Sequence, residues 1–190
     1  MKKIKLYIIR YSKMLNSKKL SALRSGNISV RYKNGFFITP SGKKYASLRS
    51  SDIIFVSLDG VFSKKNGNPS SEWKFHQDIY INRADANAIV HTHSTNATAV
   101  STHKKRIPAF HYMVAMAGGS DIKCAKYATF GTRALSKNIL LALKNRKACL
   151  ISNHGQIAFE ENISKAFELA EEVENISLQY ITSLKLGKPK

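Results

Sequence analysis

The stretch AIVHTHS, residues 88–94, decides how the chain is read. Three apolar positions lead into two histidines one residue apart, in a chain that has six histidines altogether. An apolar run of this length reads as a buried strand. In an extended segment the side chains at i and i+2 leave the same face, roughly 7 Å apart. His91 and His93 are therefore placed either to converge on one metal ion or to stand as an ordinary hydrogen-bonded pair, and an isolated H-x-H does not choose between the two.

A second apolar segment, ACLISNHG (148–155), also ends in a histidine. If the C-terminal ends of these two strands are neighbours in one sheet, His154 joins His91 and His93. Three imidazoles are the ligand set of a catalytic zinc with one position left open. Glu72, at a helix start after NPSS, suits a fourth ligand at rest and a base once substrate displaces it. It equally suits a first-turn carboxylate set favourably against the helix dipole. Three loops, SGNIS (25–29), TPSG (39–42) and PSS (69–71), combine Gly or Pro with hydroxyl or amide side chains. That is the composition expected where backbone N–H groups and small donors cradle a phosphate.

The rest of the chain supplies the frame. Ile4, Ile8, Tyr11, Leu15 and Leu23 fall at loosely helical spacing, which predicts one or two amphipathic helices before Ser25. NISVRY alternates as a strand, Asn34-Gly35 signals a hairpin turn, and FFIT supplies the return strand. DIIFVSLDG followed by VFS repeats the strand-turn-strand pattern. SEWKFHQDIYINR reads as a helix with Ser70 or Ser71 as N-cap. STNATAVSTHKK and ALSKNILLALKNRK read as two further helices, the second with apolar residues at 135, 139, 140 and 143. QIAFE is a candidate hairpin partner for ACLI, and NISKAFELAEEVENISLQYITSLKL is a closing helix capped at Asn162 or Ser164. Hairpins mixed with helices predict a three-layer α/β/α architecture around a mostly antiparallel sheet. No internal repeat or low-complexity linker interrupts it, so residues 1–190 are expected to form a single domain.

Composition narrows the function classes. No apolar run reaches the 18 or more residues of a membrane span, and Arg10 interrupts the short apolar stretch that a signal peptide would need. Cys124 and Cys149 have neither metal-type spacing nor a disulfide framework, which predicts a reducing, cytoplasmic setting and leaves metal binding to His and carboxylates. The net charge is +19, with thirteen Lys or Arg and no acid in residues 1–51, while six of the twelve carboxylates lie between Glu160 and Glu174. Such a field attracts anions. The basic residues are scattered lysines without an RNA-binding signature or recognition-helix pattern, so small phosphorylated metabolites are the expected partners and nucleic acid is not.

The segments GNISVR, TPSG, PSSEWKFH, DANAIVHTHS, IPAFHYMVAMAGG, YATFGTR, LALKNRKA and NHG resemble, in order and spacing, the class II aldolase and adducin family, over about residues 26–184. The resemblance implies a zinc-dependent cleavage of a ketose 1-phosphate, with L-fuculose 1-phosphate the expected substrate and dihydroxyacetone phosphate and L-lactaldehyde the products. It implies that His91, His93 and His154 ligate zinc, and that Glu72 is the acid/base and touches the metal at rest. Gly26, Asn27, Ser41, Gly42, Ser70 and Ser71 would hold the phosphate. Tyr112 matches a tyrosine that reaches a neighbouring subunit's site, and Phe130 an aromatic of the aldehyde pocket, in a four-fold tetramer with sites at subunit interfaces. His76, one turn after Glu72, either supports it by hydrogen bonding or serves structure. His103 reads as solvated, and His111 as a neighbour that helps place Tyr112.

The family also predicts where this chain departs. Arg24 stands near the place where relatives carry a small hydroxyl residue, either gripping phosphate bidentately or pointing to solvent. Relatives continue past the last helix into a tail that closes over the site, whereas this sequence ends at LGKPK, so a lid is expected to be missing or differently built. Other readings on the same scaffold are a ribulose-phosphate 4-epimerase, a methylthioribulose-phosphate dehydratase and a non-catalytic adducin-like binding protein. Epimerases carry aspartate where this chain has Glu72. Three histidines kept with a glutamate favour a metal enzyme.

Overall fold

The computed structural model describes residues 1–187 and 189. Seven strands form one sheet in the order β3-β2-β1-β4-β7-β6-β5. They are β1 (Asn27–Tyr32), β2 (Gly35–Ile38), β3 (Ile54–Ser57), β4 (Ala88–Thr92), β5 (Cys124–Ala125), β6 (Ala148–Ile151) and β7 (Gly155–Glu160). Every pairing is antiparallel except β5 with β6. Five helices cover the sheet: α1 (Lys2–Ser17), α2 (Trp73–Asn82), α3 (Thr95–Thr102), α4 (Arg133–Ala142) and α5 (Ile163–Leu184).

The period-2 alternation of the strands divides the core in two. Ile28, Val90, Leu150 and Ala158 face one side, where they pack with Ile8 and Leu15 of α1, Ala97 and Val100 of α3, and Phe167, Ala170 and Val173 of α5. Phe36, Ile89, Cys149, Ile157 and Phe159 face the other, against Phe75, Ile79 and Tyr80 of α2 and Leu135 and Ile139 of α4. The layering is therefore α/β/α around a mostly antiparallel sheet, as the pattern predicted. Central strand β4 is buried along its whole length, which is why it reads as a continuous apolar run. Among the described residues no helix is long and apolar enough to cross a membrane.

Several local expectations are corrected. A single helix, α1, precedes Ser25, and Leu23 lies beyond it, 75% exposed, while Leu20 takes the core position. The β1–β2 turn sits on Lys33 and Asn34, because Gly35 already pairs with Tyr32. Val61–Ser63 turns back beside β3 through Ser57 N–H to the Val61 carbonyl (3.0 Å) but forms no strand. α2 is entered at Glu72 itself rather than capped by Ser70 or Ser71. Asn162 does cap α5, its side chain accepting from Lys165 N–H at 3.0 Å. The two-residue strand β5, held parallel to β6, has no signal in the sequence: at two residues no periodicity exists to read.

Candidate metal centre and substrate cavity

β4 and β6 turn out not to be neighbours. β7 lies between them, and His154 reaches the end of β4 from the three-residue turn joining β6 to β7. Asn153, at φ 55°, supplies the left-handed bend before it. Gly155 then opens β7 so close to β4 that a Cβ there would stand 2.2 Å from the Thr92 carbonyl oxygen. A glycine is what lets the turn press His154 against His91 and His93.

Glu72, His91, His93 and His154 form a cluster whose ligand atoms all lie within 4.8 Å of one another. His91 Nε2 lies 3.0 Å from His93 Nε2 and 3.2 Å from Glu72 Oε2, and His154 Nε2 lies 3.3 Å from Glu72 Oε1. His91 Nδ1 donates to the Gln156 carbonyl at 2.8 Å, which leaves the Nε2 lone pair facing the cluster. Burial, reinforced by repulsion from His91, pushes His93 down to about 3 and His154 to about 4, so both rings are neutral donors near pH 7. Burial pulls Glu72 upward, the facing imidazoles of His91, His154 and His93 pull it further down, to about 2, and the carboxylate is ionised.

The donor set fits a divalent ion. Donor separations of 3.0–3.3 Å match the edge of a tetrahedron with bonds of about 2.0–2.1 Å, about 3.3 Å. Glu72 Oε1 is buried and has no hydrogen-bond partner, a costly state that a bound cation or an arriving proton would relieve.

A cavity of about 380 Å³ opens from this cluster. Its wall includes Gly26, Asn27, Ser41, Gly42, Ser70, Ser71, Glu72, His93, Phe130 and His154, so ten of the twelve residues singled out in the sequence meet in one place. The three hydroxyl-rich loops are laced together. Pro40 and Pro69 form an isolated bridge, Ser41 N–H donates to the Asn68 carbonyl and Ser70 N–H to the Thr39 carbonyl (both 3.0 Å). Tyr45 hydroxyl donates to the Gly26 carbonyl at 2.6 Å. Gly26, at φ +76°, lies flush on β4, where a Cβ would stand 2.6 Å from the His91 carbonyl oxygen.

His91 lies behind the cavity wall, fully buried. Tyr112 is 80% exposed on a 3-10 turn and does not line the cavity of its own chain. His111 caps that turn, accepting from Met113 N–H, and His103 is exposed. Arg24 does reach the cavity, its Nη1 donating to the Gly42 carbonyl at 3.2 Å. Asn27 lines the cavity too, yet its amide is engaged on both sides, by Glu72 and by His76. Tyr127 and Asn153 also line the cavity and carry no sequence signal of their own, since exposed loop residues follow no periodicity.

A sheet with three histidines and a carboxylate gathered at one end, beside hydroxyl-rich loops, defines a class of metal-dependent enzymes acting on small anions. The profile of the family described as "Class II Aldolase and Adducin N-terminal domain" matches residues 7–181. The L-fuculose phosphate aldolase of Escherichia coli (strain K12) is 52% identical over 166 residues, 87% of this chain and 76% of that protein. A 5-methylthioribulose-1-phosphate/5-deoxyribulose-1-phosphate aldolase of Rhodospirillum rubrum is 48% identical over 166 residues, 87% of this chain and 75% of that protein. A solved L-fuculose 1-phosphate aldolase superposes with a TM-score of 0.95 at 37% identity, covering 99% of this chain and 89% of that one. The chain belongs to the class II aldolase and adducin family, and its relatives make it a metal-dependent aldehyde-lyase acting in sugar-phosphate metabolism.

Proposed function

We propose that the protein is a zinc-dependent aldolase that reversibly cleaves L-fuculose 1-phosphate to dihydroxyacetone phosphate and L-lactaldehyde. The observation that carries this reading is the single cavity in which the Glu72–His91–His93–His154 cluster meets the loops around Gly26, Ser41–Gly42 and Ser70–Ser71. The three histidines and Glu72 would hold the ion, which would supply positive charge that polarises a ketone and acidifies the carbon beside it. Among the described residues no lysine lines the cavity, so a metal-assisted rather than a Schiff-base route is proposed, and the chemistry should be insensitive to borohydride and sensitive to chelators.

The chain's own groups then divide the work. The hydroxyls of Ser41, Ser70 and Ser71 and the guanidinium of Arg24, the one Lys or Arg side chain on the cavity wall among the described residues, hold the phosphate. Asn27 contributes its remaining amide hydrogen and its main chain. In cleavage Glu72, ionised at rest, first takes up a proton from water; the C–C bond then breaks, the substrate hydroxyl gives up its proton as the aldehyde forms, and the electron pair left on the ketone fragment takes the proton held by Glu72. Condensation runs the same steps backwards. Tyr112 of a neighbouring copy receives and returns the hydroxyl proton, which its exposure outside its own cavity supports, and Phe130 with Tyr127 walls the aldehyde end. Proton loss at oxygen balances proton gain at carbon once these two groups re-equilibrate through water. The active assembly is then a homotetramer. Two free cysteines, Cys149 fully buried, support a cytoplasmic setting.

The relatives at 48% identity favour one second reading, cleavage of 5-methylthioribulose or 5-deoxyribulose 1-phosphate. Metal analysis, with an assay of all three ketose 1-phosphates reading out dihydroxyacetone phosphate, tests both. Stoichiometric zinc and the highest kcat/KM on L-fuculose 1-phosphate are expected. Preference for either ribulose derivative selects the second reading, and a protein that takes up no divalent ion overturns both.

A further inference from the structure

Behind Glu72, from Asn27 on the cavity wall into the core, runs a chain of buried polar groups that metal ligation does not require. Asn27 Nδ2 donates to Glu72 Oε2 at 3.0 Å, and His76 Nε2 lies 2.5 Å from Asn27 Oδ1. Ser29 Oγ lies 2.7 Å from His76 Nδ1 and 2.7 Å from the Tyr80 hydroxyl. All four residues are buried, so no bulk water competes for these bonds. The fold builds the chain from two elements. β1 offers Asn27 opposite His91 and Ser29 two residues on along the same face, while α2 offers His76 and Tyr80 one turn apart.

The direction of the chain is fixed from its end. An ionised carboxylate only accepts, so Asn27 must turn its NH2 to Oε2 and its carbonyl to His76. That carbonyl needs a donor, which puts the imidazole hydrogen on Nε2. Nδ1 is then a lone pair, and Ser29 donates to it. The Ser29 oxygen in turn accepts from Tyr80, whose hydroxyl burial keeps protonated. Burial holds His76 neutral, pushing it down to about 3. Every hydrogen in the chain points towards Glu72.

We propose that the Tyr80–Ser29–His76–Asn27 relay gives the two oxygens of Glu72 different tasks: Oε2 is held by Asn27, and Oε1 is the oxygen that takes and returns the substrate proton. A proton on Oε2 would meet the Nδ2–H of Asn27 head on. Accommodating it would require the amide to flip, the imidazole to change tautomer and both hydroxyls to rotate, all inside the core. Oε1 has no such opponent, is without a hydrogen-bond partner among the described residues, and lies 3.3 Å from Nε2 of His154, a residue of the cavity wall. His76 is a positioning residue acting through Asn27. The inference rests on Glu72 being the acid/base.

The test separates proton transfer from folding and from metal binding. Exchange of the carbon-bound proton of dihydroxyacetone phosphate with deuterated water, without aldehyde, reads the Glu72 step alone. His76→Leu should lower that exchange ten- to a hundredfold, the usual cost of losing an outer-shell partner, with KM within threefold and zinc still stoichiometric. His76→Gln, which returns an N–H near the Nε2 place, should recover most of the exchange while remaining as thermally destabilised as the leucine variant. Long-range proton–nitrogen spectra of the metal-free protein should show His76 neutral and protonated at Nε2. Protonation at Nδ1, or exchange within twofold of the parent in His76→Leu, overturns the relay. If the leucine variant does not fold, Ser29→Ala replaces it, with a loss of threefold or more expected and an unchanged rate overturning the proposal. Glu72→Gln in the same assay keeps the two readings apart. If it exchanges normally, the acid/base assignment fails; if it is inactive while the His76 variants are normal, only the relay fails.

Discussion

Glu72 is an ionised carboxylate held among three imidazoles, and the proposed mechanism asks it also to accept a proton, two demands that usually conflict. Its 6% exposure makes it responsive to each neighbour. Glu72→Gln keeps the shape and the acceptor facing Asn27 Nδ2, and turns an NH2 towards the cavity where Oε1 stood. The histidines keep their geometry, so zinc should remain bound while kcat falls by about a hundredfold or more; a variant with near-normal turnover refutes the assignment of the base. Arg24 poses the converse case, since it reaches the Gly42 carbonyl on the cavity wall, where the proposed function puts the phosphate and not the reacting carbon. Charge-assisted hydrogen bonds contribute about 1.5–3 kcal/mol, and solvent exposure trims that at this site. Arg24→Ala should raise KM for the phosphorylated ketose by about tenfold, with kcat and the KM of the unphosphorylated ketose little changed; equal loss on both substrates would place Arg24 outside phosphate recognition. At this scale the sequence was eloquent where spacing carries geometry. His91 and His93 on one strand face, and serine beside Pro or Gly, could be read directly. The amide of Asn27 could not, because its partners lie 45 and 49 positions away, at the start of α2 and within it, and only the packing of α2 against the sheet brings them together.

Helix α3 shows how one element holds the metal site from outside it. Its sequence, TNATAVST, has four β-branched residues in eight and no acidic residue in its first turn, so it is a poor helix on its own terms. Glu174 of α5 supplies what is missing, accepting from Asn96 N–H and Ala97 N–H at 2.8 Å each and from Asn96 Nδ2 at 2.7 Å. Because α3 begins directly after His93 and Ser94, this cap also fixes the end of β4. Glu174→Ala should cost about 1–3 kcal/mol in urea unfolding, with loss of zinc affinity in the folded protein; a loss under about 0.5 kcal/mol, at the edge of what surface changes produce, would show that the strand end holds without it. Elements with a clear local signal, β1, β2, β4 and α4, lie where they were expected, although α4 stops at Ala142 instead of running on through Lys147. The departures have one cause. Val61–Ser63 and β5 are decided by what packs beside them, and although QIAFE does pair with β6 as expected, no local pattern says that this strand, β7, inserts between β6 and β4.

For the whole molecule, the neutral histidines buried around the site link stability to pH. His76, His93 and His154 have folded values of about 3, 3 and 4 against 6.5 for an unperturbed ring. As pH falls from 6.5 towards 4 the unfolded chain takes up protons that the folded chain refuses, so the stability these groups contribute is complete above about 6.5 and is lost on acidification. Glu72, at about 2 against 4.5, extends the loss below pH 4.5 in the same direction. A net charge of +19, rising as exposed carboxylates protonate, adds repulsion within the compact state. A divalent ion competes with protons for the same lone pairs and opposes the loss as long as it stays bound. Three shifts of this kind amount to several kcal/mol, or on the order of 10 °C in Tm for a chain of this length. The metal-free protein should therefore fall by about that much in Tm between pH 7 and 4.5, and zinc should move the fall to lower pH. His76 is not a ligand, so a residual acid sensitivity should persist in the loaded protein and vanish in His76→Gln. A metal-free Tm that stays flat across this range would mean that these rings take up protons in the fold as readily as in the unfolded chain, and that burial does not hold them neutral.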